Sequence, residues 1–102
     1  MSMNRQDPLS ESLFMRCNGW FTAWIGGELI MMNAGSSVYL SLSGAGGPIW
    51  ELLEVPRTLT GLCEALATSY EVEPTRIRDE VLAFLEELQL HHAIQLHPSA
   101  LA

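Results

Sequence analysis

Hydrophobic and polar residues alternate along the first half of the chain, in a pattern typical of β-strands. The alternation is clearest over residues 38–43, where valine or leucine occupies every even position and tyrosine or serine every odd one. The earlier segments 13–17, 20–25 and 29–33 are rich in apolar residues and end at turn-forming residues, so they are predicted to be strands too. The short turn at 34–37 predicts that the last two strands form an antiparallel hairpin.

After residue 43 the apolar residues recur every three to four positions, which predicts helices. Pro48 is expected at the first position of a short helix, because the amide that proline lacks would be unpaired there. Thr58 is expected to cap a second helix with a continuous apolar stripe. A third helix is predicted to start at Pro74 and to end near residue 91, followed by a short strand at 94–96.

This order of elements predicts one α+β domain, in which a three-stranded antiparallel sheet is followed by three helices. Three antiparallel strands cannot bury one face alone, so we expect the helices to cover it. The domain is predicted to span residues 13–97, between flexible tails at 1–12 and 98–102. The sequence leaves open whether the strand at 13–17 pairs within the chain or is exchanged with a second copy.

The charge of the chain restricts its partners. The 102 residues include 12 acidic and 5 basic side chains, all five of them arginines, which gives a formal net charge of −7. Such a surface binds phosphate poorly and is repelled by anionic lipid, so we expect neither a nucleic-acid nor a membrane partner. We find no secretory segment, and with only two cysteines the chain is expected to be a reduced cytoplasmic protein.

No residue pattern predicts catalysis. His91, His92 and His97 are close in sequence, but adjacent helical side chains point about 100° apart and no further ligand motif accompanies them. Cys63 falls on the apolar stripe of the second helix, where cysteine behaves as a small hydrophobic residue. The glycine run at 44–47 lacks the lysine of a phosphate-binding loop. We therefore expect the chain not to be an enzyme and to hold no metal or cofactor.

A binding role fits the pattern better. The strand at 38–43, if it lies at the edge of the sheet, would offer unpaired backbone groups to an extended peptide. Arg78 and Leu82, on the shoulder of the third helix, are predicted to form a wall beside it. Trp50 is expected in the core, whereas Trp20 and Trp24 are expected either in the core or in a patch through which the chain dimerises or docks on an enzyme.

The stretch YLSLSGAGGPIWELL at 39–53 resembles the PqqD family, in which a tyrosine and a Leu-Asn pair precede a glycine turn and the pattern Ile-Trp-x-Leu-Leu. The apolar positions of the second strand and of the two later helices are similar as well, so the resemblance covers about residues 13–96. Ser43 stands where the family has asparagine, and Val55 and His92 stand where it commonly has glycine. These departures concern turns.

The resemblance implies a winged-helix-like domain that binds the leader segment of a ribosomally made precursor peptide, as in pyrroloquinoline quinone and lasso-peptide biosynthesis. It implies that the leader adds as a strand beside residues 38–43, packs on the third helix, and is presented to a modifying enzyme or leader protease. A free-standing lasso-peptide protein is the favoured subtype. The residues predicted to contact the peptide are Val38, Tyr39, Leu40, Ser41, Leu42, Arg76, Ile77, Arg78, Val81, Leu82 and Leu85.

Two other functions remain open at this point. A winged-helix fold can read DNA with its last helix, but four acidic residues follow Arg76 and Arg78 in the predicted helix and would repel phosphate. The two arginines are instead expected to contact acidic residues of the leader. A structural subunit that forms a homodimer or docks on an enzyme is compatible with leader binding.

Overall fold

A computed structural model describes residues 12–97, and the predicted tails, apart from Ser12, lie outside the described residues. Ser12 itself is buried. The chain forms strands, then helices, then a last strand, as the hydrophobic pattern predicts. The strands are β1 (Leu13–Arg16), β2 (Trp20–Ile25), β3 (Glu28–Asn33), β4 (Val38–Leu42) and β5 (Ile94–His97), and the helices are α1 (Gly46–Leu52), α2 (Leu59–Tyr70) and α3 (Pro74–Leu90).

The main sheet has the strand order β2-β3-β4 and is antiparallel throughout. Gly26 and Gly27 connect β2 to β3 with φ angles of 60° and 84°, and two successive positive φ angles are typical of the two-residue turn that matches the twist of a hairpin. The longer turn at 34–37 connects β3 to β4 and is held by the Asn33 side chain, whose oxygen accepts from the amides of Gly35 and Ser36. The predicted α+β fold with its three-stranded antiparallel sheet is confirmed.

The second sheet pairs the two ends of the domain, which the sequence left open. β1 lies antiparallel to β5, with Leu13 opposite His97 and Arg16 opposite Ile94. Phe14 also exchanges backbone hydrogen bonds with Arg57, which ties β1 to the segment before α2. In this structure the N-terminal strand is therefore paired within its own chain.

One face of the main sheet and the inner faces of the helices make the core. The side chains of β3 and β4 that point to the helices, such as Met31 and Leu42, are buried. On the opposite face Tyr39 of β4 is exposed, whereas Ile30 of β3 is half-buried. Trp50 is buried as predicted. The Arg16 guanidinium lies 4.5 Å from the centre of the Trp50 ring and donates to the backbone carbonyl oxygen of Trp50. The largest fully buried side chains are those of Phe14, Leu29, Met31, Ile49, Leu53, Leu59, Leu62, Leu66, Val81, Leu85 and Leu88.

The helix starts agree with the sequence at two of three positions. The Thr58 hydroxyl caps α2 by accepting from the amide of Gly61 at 3.0 Å, and α3 begins at Pro74. The predicted start of α1 at Pro48 was wrong, since the helix begins two residues earlier, at Gly46. Pro48 is instead the third residue of the helix, where the amide that proline lacks would still have no helical partner, and the amide of Ile49 donates to the carbonyl oxygen of Ala45.

Candidate functional site

β4 forms one edge of the main sheet. It pairs with β3 on one side, and no strand within residues 12–97 pairs with its other side. Alternate residues of an antiparallel strand direct their backbone groups to opposite neighbours, so about half of the donors and acceptors of β4 point away from β3. The inward side chains Leu40 and Leu42 are buried, whereas Tyr39 is 68% exposed and Ser41 is also exposed. The prediction of an edge strand at this position is confirmed.

The first half of α3 lies close to the end of β4. A methyl group built on Gly44, just after the strand, would lie 3.6 Å from the Glu80 carboxylate. A methyl group on Gly46 would lie within 3 Å of both the Phe84 ring and the Leu42 side chain. Glu80 and Phe84 are one helical turn apart, so they share one flank of α3. This flank faces the β4–α1 junction, and the Phe84 ring is half-buried there.

The other flank of α3 faces α2. Arg78 lines a shallow depression with Cys63 and Glu64 of α2, and Leu82 lies one turn further along the same flank. At about 100° per residue, Arg78 and Glu80 project from α3 in nearly opposite directions. The two residues predicted from the sequence to wall the peptide strand therefore lie on the flank away from β4, and the geometry favours Glu80 and Phe84 instead. Contact of Arg78 and Leu82 with a peptide stays a prediction.

A second depression, of about 200 Å³, lies at the start of α3 beside Glu80. It is lined by Tyr70, Val72, Arg76, Ile77 and Glu80, and Glu80 joins it to the β4–α1 loop. The aromatic and aliphatic walls suit an apolar side chain, and Arg76 and Glu80 provide one charge of each sign at the rim. Of the predicted arginine contacts, Arg76 is the one that the structure brings to the β4 flank.

Three predicted contact residues of α3 belong to the core. Ile77, Val81 and Leu85 are all buried, so their side chains fix the position of α3 below the site. Their direct contact with a peptide stays a prediction. Glu80 and Phe84, in contrast, were not selected from the sequence. Phe84 lies at the margin of the apolar stripe, and such a marginal aromatic residue is the one signal that could have marked the exposed flank.

Of the side chains considered for chemistry, Cys63 is a packing residue, whereas His92 and His97 are exposed. Cys63 is buried, and desolvation raises the pKa of its thiol, with the Arg78 charge lowering that pKa in part. A thiol of this kind is a weak nucleophile. His91 follows the last turn of α3 and lies 3.9 Å from Glu87. Within residues 12–97, no three side chains of the metal-binding types lie close enough together to hold an ion. No helix of that same range is long and apolar enough to cross a bilayer.

The two tryptophans of β2 have mixed environments. The Trp24 ring packs on Gly47 of α1 and its indole nitrogen donates to Glu51 Oε2 at 2.9 Å, yet half of the side chain is exposed. Trp20 is half-buried, and its indole nitrogen donates to the carbonyl oxygen of His92 at 3.3 Å. Both side chains therefore connect the sheet to the helices, and Trp24 also lies at the surface.

Comparisons with known proteins agree with this geometry. Two solved structures are similar in fold. One, described as TbiB1 in complex with the TbiA(beta) leader peptide, has a TM-score of 0.69 and 21% sequence identity, and the match covers 79% of this chain and 94% of that one. The other, described as lasso peptide synthetase B1 complexed with the leader peptide, has a TM-score of 0.66 and 19% identity, and the match covers 80% of this chain and 96% of that one.

At the level of sequence, no curated protein matches the chain. The sequence profile of the family described as coenzyme PQQ synthesis protein D (PqqD) matches residues 28–94. This range runs from β3 to the start of β5, so it contains β4 and all three helices. It also contains the surface between the edge of β4 and the Glu80–Phe84 flank of α3, which is termed the cleft. The chain therefore belongs to the PqqD family.

Proposed function

We propose that the protein binds the leader segment of a ribosomally synthesised precursor peptide by strand addition to β4. The observation that carries this proposal is the open edge of β4 beside the Glu80–Phe84 flank of α3. Main-chain hydrogen bonds to such an edge provide affinity, and pockets for alternate side chains provide specificity. The complexes of the two similar structures with leader peptides support the same conclusion.

The geometry defines how the leader would lie. An added strand would continue the β2-β3-β4 sheet, so that its side chains point alternately to the Tyr39 face and toward α3. Side chains on the α3 side would meet Phe84, and the one beyond the end of β4 would enter the depression at Tyr70 and Arg76. A segment of about five residues is enough to cover the edge of β4, which itself has 5 residues.

The protein acts in this proposal by binding and not by catalysis. It holds the leader extended and presents the attached precursor to a modifying enzyme or a leader protease of the same pathway. A lasso-peptide pathway is the preferred context, given the descriptions of the two similar structures. We place this step in the cytoplasm, which the two free thiols of Cys17 and Cys63 support. Self-association is a separate proposal and depends on the opposite edge of the sheet.

A titration followed by NMR tests leader binding. The probe is a synthetic peptide with the leader sequence of the precursor encoded beside this chain, added to the full-length ¹⁵N-labelled protein. We expect the largest amide shifts along β4 and on the Glu80–Phe84 flank of α3, and small shifts along β1 and β5. If the peptide binds but the shifts cluster on the α2 flank of α3 around Arg78, binding does not occur at the edge of β4.

Replacement of Phe84 tests which flank of α3 contacts the leader. We expect Phe84→Ala to weaken leader binding about tenfold, because the ring beside the end of β4 is lost as a contact for the peptide. Leu82→Ala is the matched control, since Leu82 is also half-buried against the core but lies on the α2 flank. Both variants should lose some stability, measured by urea unfolding, whereas calorimetry should show lower affinity only for Phe84→Ala. Equal affinities of the two variants would contradict the assignment of the flank.

A further inference from the structure

The main sheet has a second open edge, at β2. This strand pairs with β3, and within residues 12–97 no strand pairs with its other side. Five of its six residues are exposed, and Phe21 and Ile25 are each 63% exposed. Large apolar side chains and unpaired backbone groups therefore lie together along an edge of 6 residues.

β2 lacks the features that normally keep an edge strand apart from other strands. Natural edge strands are protected by charged side chains, by proline, by bulges or by being short. The sequence WFTAWI contains neither charge nor proline, and its pairing with β3 is continuous from Trp20 to Ile25. The only charged residue in the whole range 20–42 is Glu28, although the chain carries a net charge of −7. A second copy can thus approach this edge with little charge repulsion from the strands themselves.

The sequence of β2 is complementary to itself in one register. When two copies pair antiparallel about Ala23, the side chain of Phe21 in each copy lies opposite Ile25 of the other copy. Both of these pairs lie on the exposed face of the sheet. On the other face Thr22 lies opposite Trp24. A register centred on Thr22 would leave Ile25 without a partner, so the register centred on Ala23 covers more of the exposed apolar surface.

We propose that the protein forms a symmetric homodimer in which the β2 strands of two copies pair antiparallel about Ala23. The result is a continuous six-stranded sheet with the order β4-β3-β2-β2-β3-β4. Both β4 edges lie at its outer ends, so each copy keeps its β4 edge available. The dimer does not depend on leader binding at β4, and either proposal can fail without the other. Because a single pair of strands is a small interface, we expect a dissociation constant on the order of 10 μM.

Sedimentation equilibrium of the full-length protein over a range of concentrations tests the dimer. We expect a monomer–dimer equilibrium for the wild type. Ala23→Lys should raise the dissociation constant at least about tenfold, because it places two like charges directly opposite each other at the two-fold axis. Ala83→Lys is the matched control, since Ala83 is equally exposed but lies on α3. A wild-type protein that stays monomeric up to several hundred micromolar overturns the proposal, as does a dimer that Ala23→Lys leaves intact.

A disulfide tests the register. In the two-residue hairpin the closing pair Ile25–Glu28 exchanges backbone hydrogen bonds, so Ala23 also bonds toward β3 and would face its copy in a non-hydrogen-bonded pair. The Cβ atoms of such a pair are close enough for a disulfide. In a Cys17→Ser background, Ala23→Cys should give a covalent dimer on mild oxidation, and Ala83→Cys should not. A dimer that Ala23→Cys fails to cross-link contradicts this arrangement of β2.

Discussion

Tyr39→Pro is expected to weaken leader binding about a hundredfold while leaving the fold intact. The hydrogen-bond alternation that starts at the β2–β3 hairpin directs Met31 and Leu40 toward each other, so the amide of Tyr39 points away from β3. Proline there removes a donor that no strand within residues 12–97 uses, and proline is tolerated at such edge positions. An incoming peptide, however, loses one hydrogen bond, keeps an unpaired carbonyl and meets the proline ring.

These losses add up to about 3 kcal/mol, which corresponds to a decrease in affinity of about a hundredfold. Isothermal titration calorimetry with the leader peptide measures the decrease, and thermal unfolding checks the fold. Thr22→Pro provides the matched control, because the amide of Thr22 points away from β3 in the same way but on the opposite edge. Its affinity for the leader should equal that of the wild type. Full affinity of a well-folded Tyr39→Pro protein would exclude β4 as the binding edge.

The alternation of β4 and the stripes of α2 and α3 could be predicted from the sequence because each depends on contacts that repeat locally. A strand with one buried face shows a period of two, and a helix with one buried face a period near 3.6. The cap at Thr58 is also local, since donor and acceptor are three residues apart. The three-stranded sheet followed from these patterns together with the turn at 34–37, whereas the edge position of β4 was only a condition of the peptide-binding interpretation.

The pairing of β1 with β5 could not be predicted in the same way. The two strands are separated by more than 75 positions, and four residues of each contain no signal for their partner. The contact of Arg16 with the ring and carbonyl oxygen of Trp50 joins β1 to α1 across 34 positions and is likewise non-local. Contacts of this kind depend on how the helices pack on the sheet, which hydrophobic periodicity does not specify.

The sequence did not identify which flank of α3 faces β4, and the contact of Arg78 and Leu82 with a peptide stays a prediction. Arg78 and Leu82 lie just off one margin of the apolar stripe, whereas Phe84 forms its other margin and Glu80 lies just beyond it. The stripe has two margins, and its centre at Val81 is the same for either choice. Only the position of α2, which contacts the Arg78 flank, identifies the margin that is left for a peptide.

The acidic residues of α3 can be related to peptide binding once the flank that faces β4 is known. Glu80 lies beside the end of β4 and Arg76 lies one turn before it, so the proposed cleft carries both signs of charge at one end. A DNA duplex would meet the four acidic side chains of α3 as well. A peptide strand bound to the edge of β4 needs only this local pair, which is why a net charge of −7 is compatible with peptide binding.

Gly46→Ala is expected to lower the free energy of unfolding by about 2 kcal/mol, as for an overpacked core. The added methyl group would lie 2.7 Å from the Phe84 ring and 2.9 Å from the Leu42 side chain. Leu42 is buried and belongs to the sheet, so the ring of Phe84 must move instead. Because this ring borders the proposed cleft, leader affinity should fall together with stability.

Gly47→Ala shows whether the loss in free energy of unfolding depends on how freely the contacted ring can move. Its methyl group would lie even closer to a ring, at the far end of the Trp24 indole. That indole is half-exposed and held by one hydrogen bond to Glu51, so it can rotate outward. The lost hydrogen bond lowers the free energy of unfolding by about 1 kcal/mol. The better helix propensity of alanine largely offsets this loss. Urea unfolding should therefore show a clear loss for Gly46→Ala and little change for Gly47→Ala. Equal losses would mean that Trp24 is fixed as firmly as Phe84, and that the surface position of Trp24 reflects a rigid contact of β2 with α1.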